Sequence, residues 1–326
     1  MQRPLALLLA IVVHALTLAC VVLGTWTIVV NSELLAGWLV GALLIALGWM
    51  LRPRLGVSLP ADAEVLARSA AKELYGAAER VADRIGVRRP GRVAVRDLEP
   101  VTRCLRGGPF REPVLVVGLP LWLALSPRQR VVALAVAYAE TLTVEELVVD
   151  GALSTLGEWR QALIGAAPLR AREEAQTKVA ASSLSGLDHP GTTYEVAGMF
   201  GRLLGRVLGG PVLLVEQALT RLARADAGRV RRRRAALVLR VASEREAAEL
   251  GALLASGRYL APMQAAALRG ERVPAIRAAA LERAQLSDVV LTMPGAELLG
   301  SAESDRIDDE LLAHYTRAIR GFGLIS

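Results

Sequence analysis

Residues 5–30 read LALLLAIVVHALTLACVVLGTWTIVV and carry no charged side chain. Asn31, Ser32 and Glu33 interrupt the apolar pattern, which resumes over residues 34–51. At helical rise the first stretch would be roughly 39 Å long, against roughly 30 Å for a bilayer core. The pattern predicts two transmembrane helices, about 5–30 and 34–51, joined by a turn too short for anything but a hairpin. Trp26, Trp38 and Trp49 fall toward the segment ends, where amphipathic rings favour the membrane interface. Arg3 precedes the first segment, Arg52 and Arg54 follow the second, and the turn holds only Glu33. The positive-inside rule therefore places both termini and the main domain in the cytoplasm. A cleaved signal peptide fits less well, because the apolar run is too long for an ordinary h-region and lacks a small-x-small site. A lipoprotein cleavage at Leu18-Ala19-Cys20 would put Thr17 where an apolar residue is expected.

Beyond residue 55 the periodicity changes. Val65, Leu66, Ala70, Leu74, Ala77, Val81 and Ile85 recur at helical spacing, which predicts an amphipathic helix over 61–86 stopped by Gly86. Two short strands are expected next, Arg92–Asp97 and Pro113–Leu119, with the Gly107-Gly108-Pro109 connection acting as a hairpin loop. Ser126 and Gln129 make a capping box and Pro127 suits the first helical position. A helix should therefore open at Ser126 and run past Glu140, buried because it is almost wholly apolar. Helical patterning dominates afterwards, with breaks expected near Gly151, Gly165, His189-Pro190-Gly191, Gly209-Gly210-Pro211, Gly257 and Pro274. The fold class is mostly α (α+β): a membrane hairpin over 1–54 and a predominantly helical cytoplasmic domain over 55–326 with a small β-sheet.

Composition narrows the function. Of 326 residues 53% are hydrophobic, which excludes disorder and agrees with a membrane component. Two cysteines exclude a disulfide scaffold, and His14, His189 and His314 leave little room for a histidine-rich metal site. His14 and Cys20 read as helix-packing residues, His189 as a loop residue and His314 as a helix-face residue. Lys72 and Lys178 are the only lysines among 39 basic residues, the Arg and Ala bias of a GC-rich bacterial genome. The net charge is +7, and Arg229, Arg231, Arg232, Arg233 and Arg234 supply five of those charges. Beside a bilayer the nearest polyanion is the headgroup layer, worth about 1 kcal/mol per contacting arginine. A solvated helix paired with acids such as Asp226 and Glu244 accounts for the run equally well. Nucleic acid ranks below both, for want of interleaved aromatics. Ala197, Gly201, Gly205 and Gly209 recur every four residues, a face that lets another helix approach closely.

Taken in order, the hairpin, the helix ending in DRIGV, the two strands and the helix opening LSPRQR resemble the HtpX-type membrane zinc metallopeptidases, relatives of the CAAX prenyl protease. Family members place L-S-x-x-E-L-x-x-V-L-A-H-E-L-x-H after the second strand, and Leu125, Ser126, Leu134 and Ala135 match it without a gap, with Ala139 at an unspecified position. The resemblance implies a zinc-metallopeptidase fold, but its chemistry fails here. An H-E-x-x-H helix grips zinc because residues i and i+4 share a face beside a general-base Glu. The two ligand positions are Val136 and Glu140, and the base position is Ala137. Glu79/Asp83 and Glu146/Asp150 have the family's E-x-x-x-D spacing but lie in the wrong place, and ARADAGRVRRRRAA offers arginines where acids are expected.

No catalytic residue, metal ligand or cofactor is therefore carried over. The expectation is a catalytically inactive pseudoprotease of the bacterial inner membrane, regulating or scaffolding membrane proteins or peptides. Two other readings stand beside it: a divergent active zinc metalloendopeptidase with Glu140 as an unconventional ligand, and an anionic-lipid-binding or assembly module. The acidic run Glu140, Glu145, Glu146 and Asp150 could hold a metal through carboxylates, but a solvated helix end explains it more simply. Walker-type and G-x-S-x-G motifs are absent.

Overall fold

Glycine decides how the first two helices meet. In the computed structural model, which describes residues 2–50, 52, 59–108, 111–164, 192–284 and 298–321, the apolar stretches form α1 (Gln2–Val30) and α2 (Leu35–Met50). A Cβ on Gly24 would fall 2.7 Å from the Gly41 carbonyl oxygen, and one on Gly41 2.6 Å from that of Gly24. The backbones touch there because neither position has a side chain. Arg3–Val30 is long and apolar enough to cross a membrane, a property it shares with signal sequences, and Leu35–Ala46 is a shorter apolar helix. Leu8, Leu18, Val22, Trp26, Leu39 and Leu43 are each more than half exposed, so the hairpin's outer faces are apolar.

The chain divides into two compact bodies, Met1–Leu55 with Val144–Ala227 and Gly56–Thr143 with Gly228–Ser326. In the first, α6 (Val144–Ile164) and the opening part of α7 (Thr192–Val238) accompany the hairpin. Ala6, Ala10 and Val13 of α1 share an apolar cluster with Ala152, Leu156, Val212 and Leu219. The His14 Nε2–H donates to the Val148 carbonyl at 3.1 Å, and Arg3 pairs with Glu145. Breaks expected at Gly151 and at Gly209-Gly210-Pro211 do not occur: α6 and α7 run through them. Gly151 and Gly209 are buried within those helices. The expected break at His189-Pro190-Gly191 lies outside the described residues.

The second body is mostly helical around a four-stranded mixed sheet of order β1-β2-β4-β3: β1 Glu64–Leu66, β2 Arg92–Arg96, β3 Arg103–Arg106, β4 Pro113–Gly118. Its remaining helices are α3 (Lys72–Ile85), α4 (Leu119–Ala124), α5 (Pro127–Ala139), α8 (Glu244–Ser256), α9 (Leu260–Leu268), α10 (Val273–Ala284) and α11 (Ser301–Gly321). Three sequence expectations change. The helix over 61–86 begins only at Lys72, because Val65 and Leu66 pair with Ala94 and Val93 as an edge strand. β2 and β4 form no hairpin; they are parallel, with Val93 opposite Leu115. The connection between them is long enough for the crossover that parallel pairing requires, and it contains β3, antiparallel to β4. Finally, α5 stops at Ala139 with Glu140 as its C-cap instead of running on.

Several local expectations match. Gly86 closes α3 at φ 71° and Gly257 closes α8 at φ 57°, both left-handed. Ser126 caps α5 through the Gln129 amide N–H while the Gln129 side chain accepts from the Ser126 N–H, with Pro127 at the first position. Val131, Leu134, Ala135, Ala137 and Tyr138 of α5 are buried. The Tyr138 hydroxyl donates to the Ala78 carbonyl at 3.0 Å, fastening α5 to α3. The Tyr75 hydroxyl donates to Leu66 O and accepts from Val93 N–H, tying α3 to the end of the β1–β2 ladder.

Candidate functional site

The second body contains an open cleft of about 340 Å³ lined by α5, the end of α7 and the start of α8. Its walls are Val136, Ala139, Ala235, Val238, Leu239 and Ala247, and Glu140, Arg234 and Glu244 supply its charges. The volume lies in the range of small-ligand pockets, and the composition has their character: apolar surface with a few polar groups. Val136 and Glu140 share the cleft because residues four apart lie on one face of α5. Ala137 turns the other way and has no exposed surface.

The electrostatics follow from the elements that meet there. Glu140 sits at the carbonyl end of α5 as its C-cap, where the Thr141 hydroxyl donates to the Ala137 carbonyl at 3.4 Å, and Glu244 is the first residue of α8. Both are exposed, and neither has an ionic partner among the described residues. The Arg234 Nε is buried without a hydrogen-bond partner among the described residues. Behind Glu244 the α8 cap is tightly held: Ser243 and Glu246 form a capping box, and Arg128 of α5 grips Glu246 with bonds of 2.6 and 3.0 Å. That grip holds the Glu246 carboxyl down at about 2. The α5–α8 junction that frames the cleft is thus clamped by a bidentate pair.

Next to this cleft the sheet edge comes close to α5. Thr141 bonds weakly to the Cys104 carbonyl of β3, and Arg233 donates to the Thr141 carbonyl at 3.4 Å. Burial pushes the Cys104 thiol up to about 11, despite the opposing bond from Thr141. A thiol held there has almost no thiolate at neutral pH and is no nucleophile.

The structure therefore brings together Val136 and Glu140 of the motif helix and Arg234 of the arginine run, and leaves Ala137 sealed beneath them. The arginine run does not act as one unit. Arg229, Arg231 and Arg232 are exposed, whereas Arg233 and Arg234 are half-buried. Gly201 and Gly205 belong to the helix α7, but their surroundings lie outside the described residues; Gly209 is buried. Within the acidic run, Glu145 is taken by Arg3 and Glu146 also has a partner. Among the described residues no group of three or more His, Cys, Asp or Glu converges on a point. His314 lies 3.6 Å from Glu64 and 3.2 Å from Arg317, in a surface ion network on α11. The zinc that the family resemblance implies does not fit these residues: the cleft offers two carboxylates, Glu140 and Glu244, beside a valine and an arginine, and no imidazole.

Sequence reasoning missed the cleft's α8 wall: it singled out Glu244 only as an acid to pair with the arginine run, and no motif marks Ala247. It also missed Arg130, which is wholly buried and donates to Trp122 O, to Ser304 and to Asp308. Arg277 reaches the same Asp308 at 2.9 Å, and the Tyr315 hydroxyl donates to it at 3.0 Å. This network joins α4, α5, α10 and α11 and holds α5 in place from behind the cleft.

Comparison of the chain with family profiles, curated proteins and solved structures gave no match.

Proposed function

We propose that the protein is a membrane-anchored pseudoprotease: a metallopeptidase-like scaffold that holds an apolar peptide segment of a membrane partner without cutting it. The observation that carries this reading is the cleft at Val136 and Glu140. The helix cap and the strands that lead to it follow the peptidase order, yet valine cannot ligate a metal and the buried Ala137 cannot move a proton. The space beside Val136 and Glu140 is open all the same. An open apolar cleft whose wall carboxylates have no ionic partner among the described residues suits an extended peptide with apolar side chains. The two apolar helices supply the anchor, and inner-membrane residence with both ends in the cytoplasm is the orientation their flanking arginines favour.

The test uses the full chain in a neutral detergent, with fluorescent apolar decapeptides and with casein. The expected result is saturable peptide binding, loss of that binding when Ala247→Trp fills the cleft, and intact casein. Chelator-sensitive cleavage of casein would refute the proposal. So would binding that Ala247→Trp leaves unchanged.

A further inference from the structure

We infer that Arg229, Arg231 and Arg232 form a contact surface for an anionic phospholipid headgroup layer. This inference rests on the hairpin anchoring the chain and is independent of how the cleft is read. Arg229 and Arg232 are one helical turn apart on α7 and share a face, and Arg231 lies about 100° round the helix from Arg232. All three are exposed, and none has an ionic or hydrogen-bonding partner among the described residues. Their neighbours behave differently: Arg233 reaches the Thr141 carbonyl and Arg234 lines the cleft. The run is therefore sorted by the fold, with two arginines used internally and three presented outward.

Charge and composition select the partner. From Gly228 to Val238 the helix has no acidic residue, so nothing on that stretch neutralises the three cations. Asp226, the nearest acid before it, is half-buried. Residues 217–238 contain no aromatic side chain, so the stacking platform that single-stranded nucleic acid uses is missing. A chain with apolar helices exposed on their outer faces lives beside a bilayer, where headgroup phosphates are the nearest dense anions. Arg231 and Arg234 are three residues apart, about 4.5 Å along the helix, so lipid contact would hold the cleft close to the headgroup layer. Partners would then be met at the membrane surface.

The test measures the thermal stability of the full chain in neutral detergent, titrated with phosphatidylglycerol. Parallel titrations use phosphatidylcholine, free glycerol phosphate and an oligo-dT. Phosphatidylglycerol should raise the melting temperature saturably, by several degrees, and the gain should shrink as salt is raised. Phosphatidylcholine and glycerol phosphate should not do so. The triple variant R229Q/R231Q/R232Q should lose the response while keeping the unliganded melting temperature and circular dichroism of the parent. R229K/R231K/R232K should retain it, and R258Q/R272Q, which removes exposed arginines elsewhere, should leave it intact. A full response in the glutamine triple variant would overturn the inference. So would no response to phosphatidylglycerol, an equal response to phosphatidylcholine or glycerol phosphate, or a response to oligo-dT alone.

Discussion

Arg130 shows what a single side chain contributes here. Its guanidinium has no exposed surface and is held by the Trp122 carbonyl, Ser304 and Asp308, with the Trp122 ring 5.1 Å from its centre. Removing one partner would leave a buried charge uncompensated, which costs about 3–5 kcal/mol. Asp308→Ala should therefore destabilise the chain by that order in denaturant unfolding, and a loss below about 1 kcal/mol would contradict the role. Burial and the nearby Arg130 both push the Arg277 guanidinium below its ordinary value, which fits two cations sharing one carboxylate. Glu246 gives a pH signature. Its folded value of about 2 lies below the ordinary 4.5, chiefly through the Arg128 hydrogen bonds. Its contribution to stability is fully present above about 4.5 and lost as pH falls toward 2. Glu246→Gln should flatten the melting-temperature profile across that window; an unchanged slope would refute the assignment. Arg130 was not legible in the sequence, because an arginine in LSPRQR looks like any exposed charge in an arginine-rich chain. Its partners Ser304 and Asp308 lie more than 170 positions away, and only the fold brings them near.

At the scale of elements, what could be read was what is local. The Ser126 box and Gly86 carry their geometry in a few adjacent residues, and both formed as expected. Ser126→Ala should cost about 1 kcal/mol, measured by thermal or denaturant unfolding. The start of α3 was misplaced for the opposite reason. Ala71 offers no side-chain cap, and the first amides of the helix, at Glu73 and Leu74, donate instead to Glu310 of α11 at 2.8 and 3.1 Å. A carboxylate at a helix N-terminus suits both the free amides and the dipole, but it arrives from the far end of the chain. Strand direction was likewise hidden, since β3 is a four-residue edge strand with a weak pattern of its own. In the hairpin, Gly41→Leu would force the α1–α2 contact apart. It should lower the melting temperature in detergent, by the equivalent of about 1–3 kcal/mol of overpacking.

The whole molecule is discontinuous in sequence: residues 144–227 leave the sheet-containing body and belong with the hairpin. The sequence boundary near residue 55 marked the end of the apolar pattern, but α6 and α7 carry charged residues along their length and gave no comparable signal. The proposed orientation has a direct check. In a Cys20→Ser background, Ser32→Cys should react with a membrane-impermeant maleimide on intact cells, and Arg52→Cys only after permeabilisation. The reverse pattern would invert the anchor. The account as a whole turns on whether the Val136–Glu140 cleft can hold a metal. Elemental analysis of the untagged full chain, equilibrated with zinc and desalted, measures this. The account predicts far less than one zinc per chain, with no change in Glu140→Ala; one zinc per chain, lost in that variant, would contradict it.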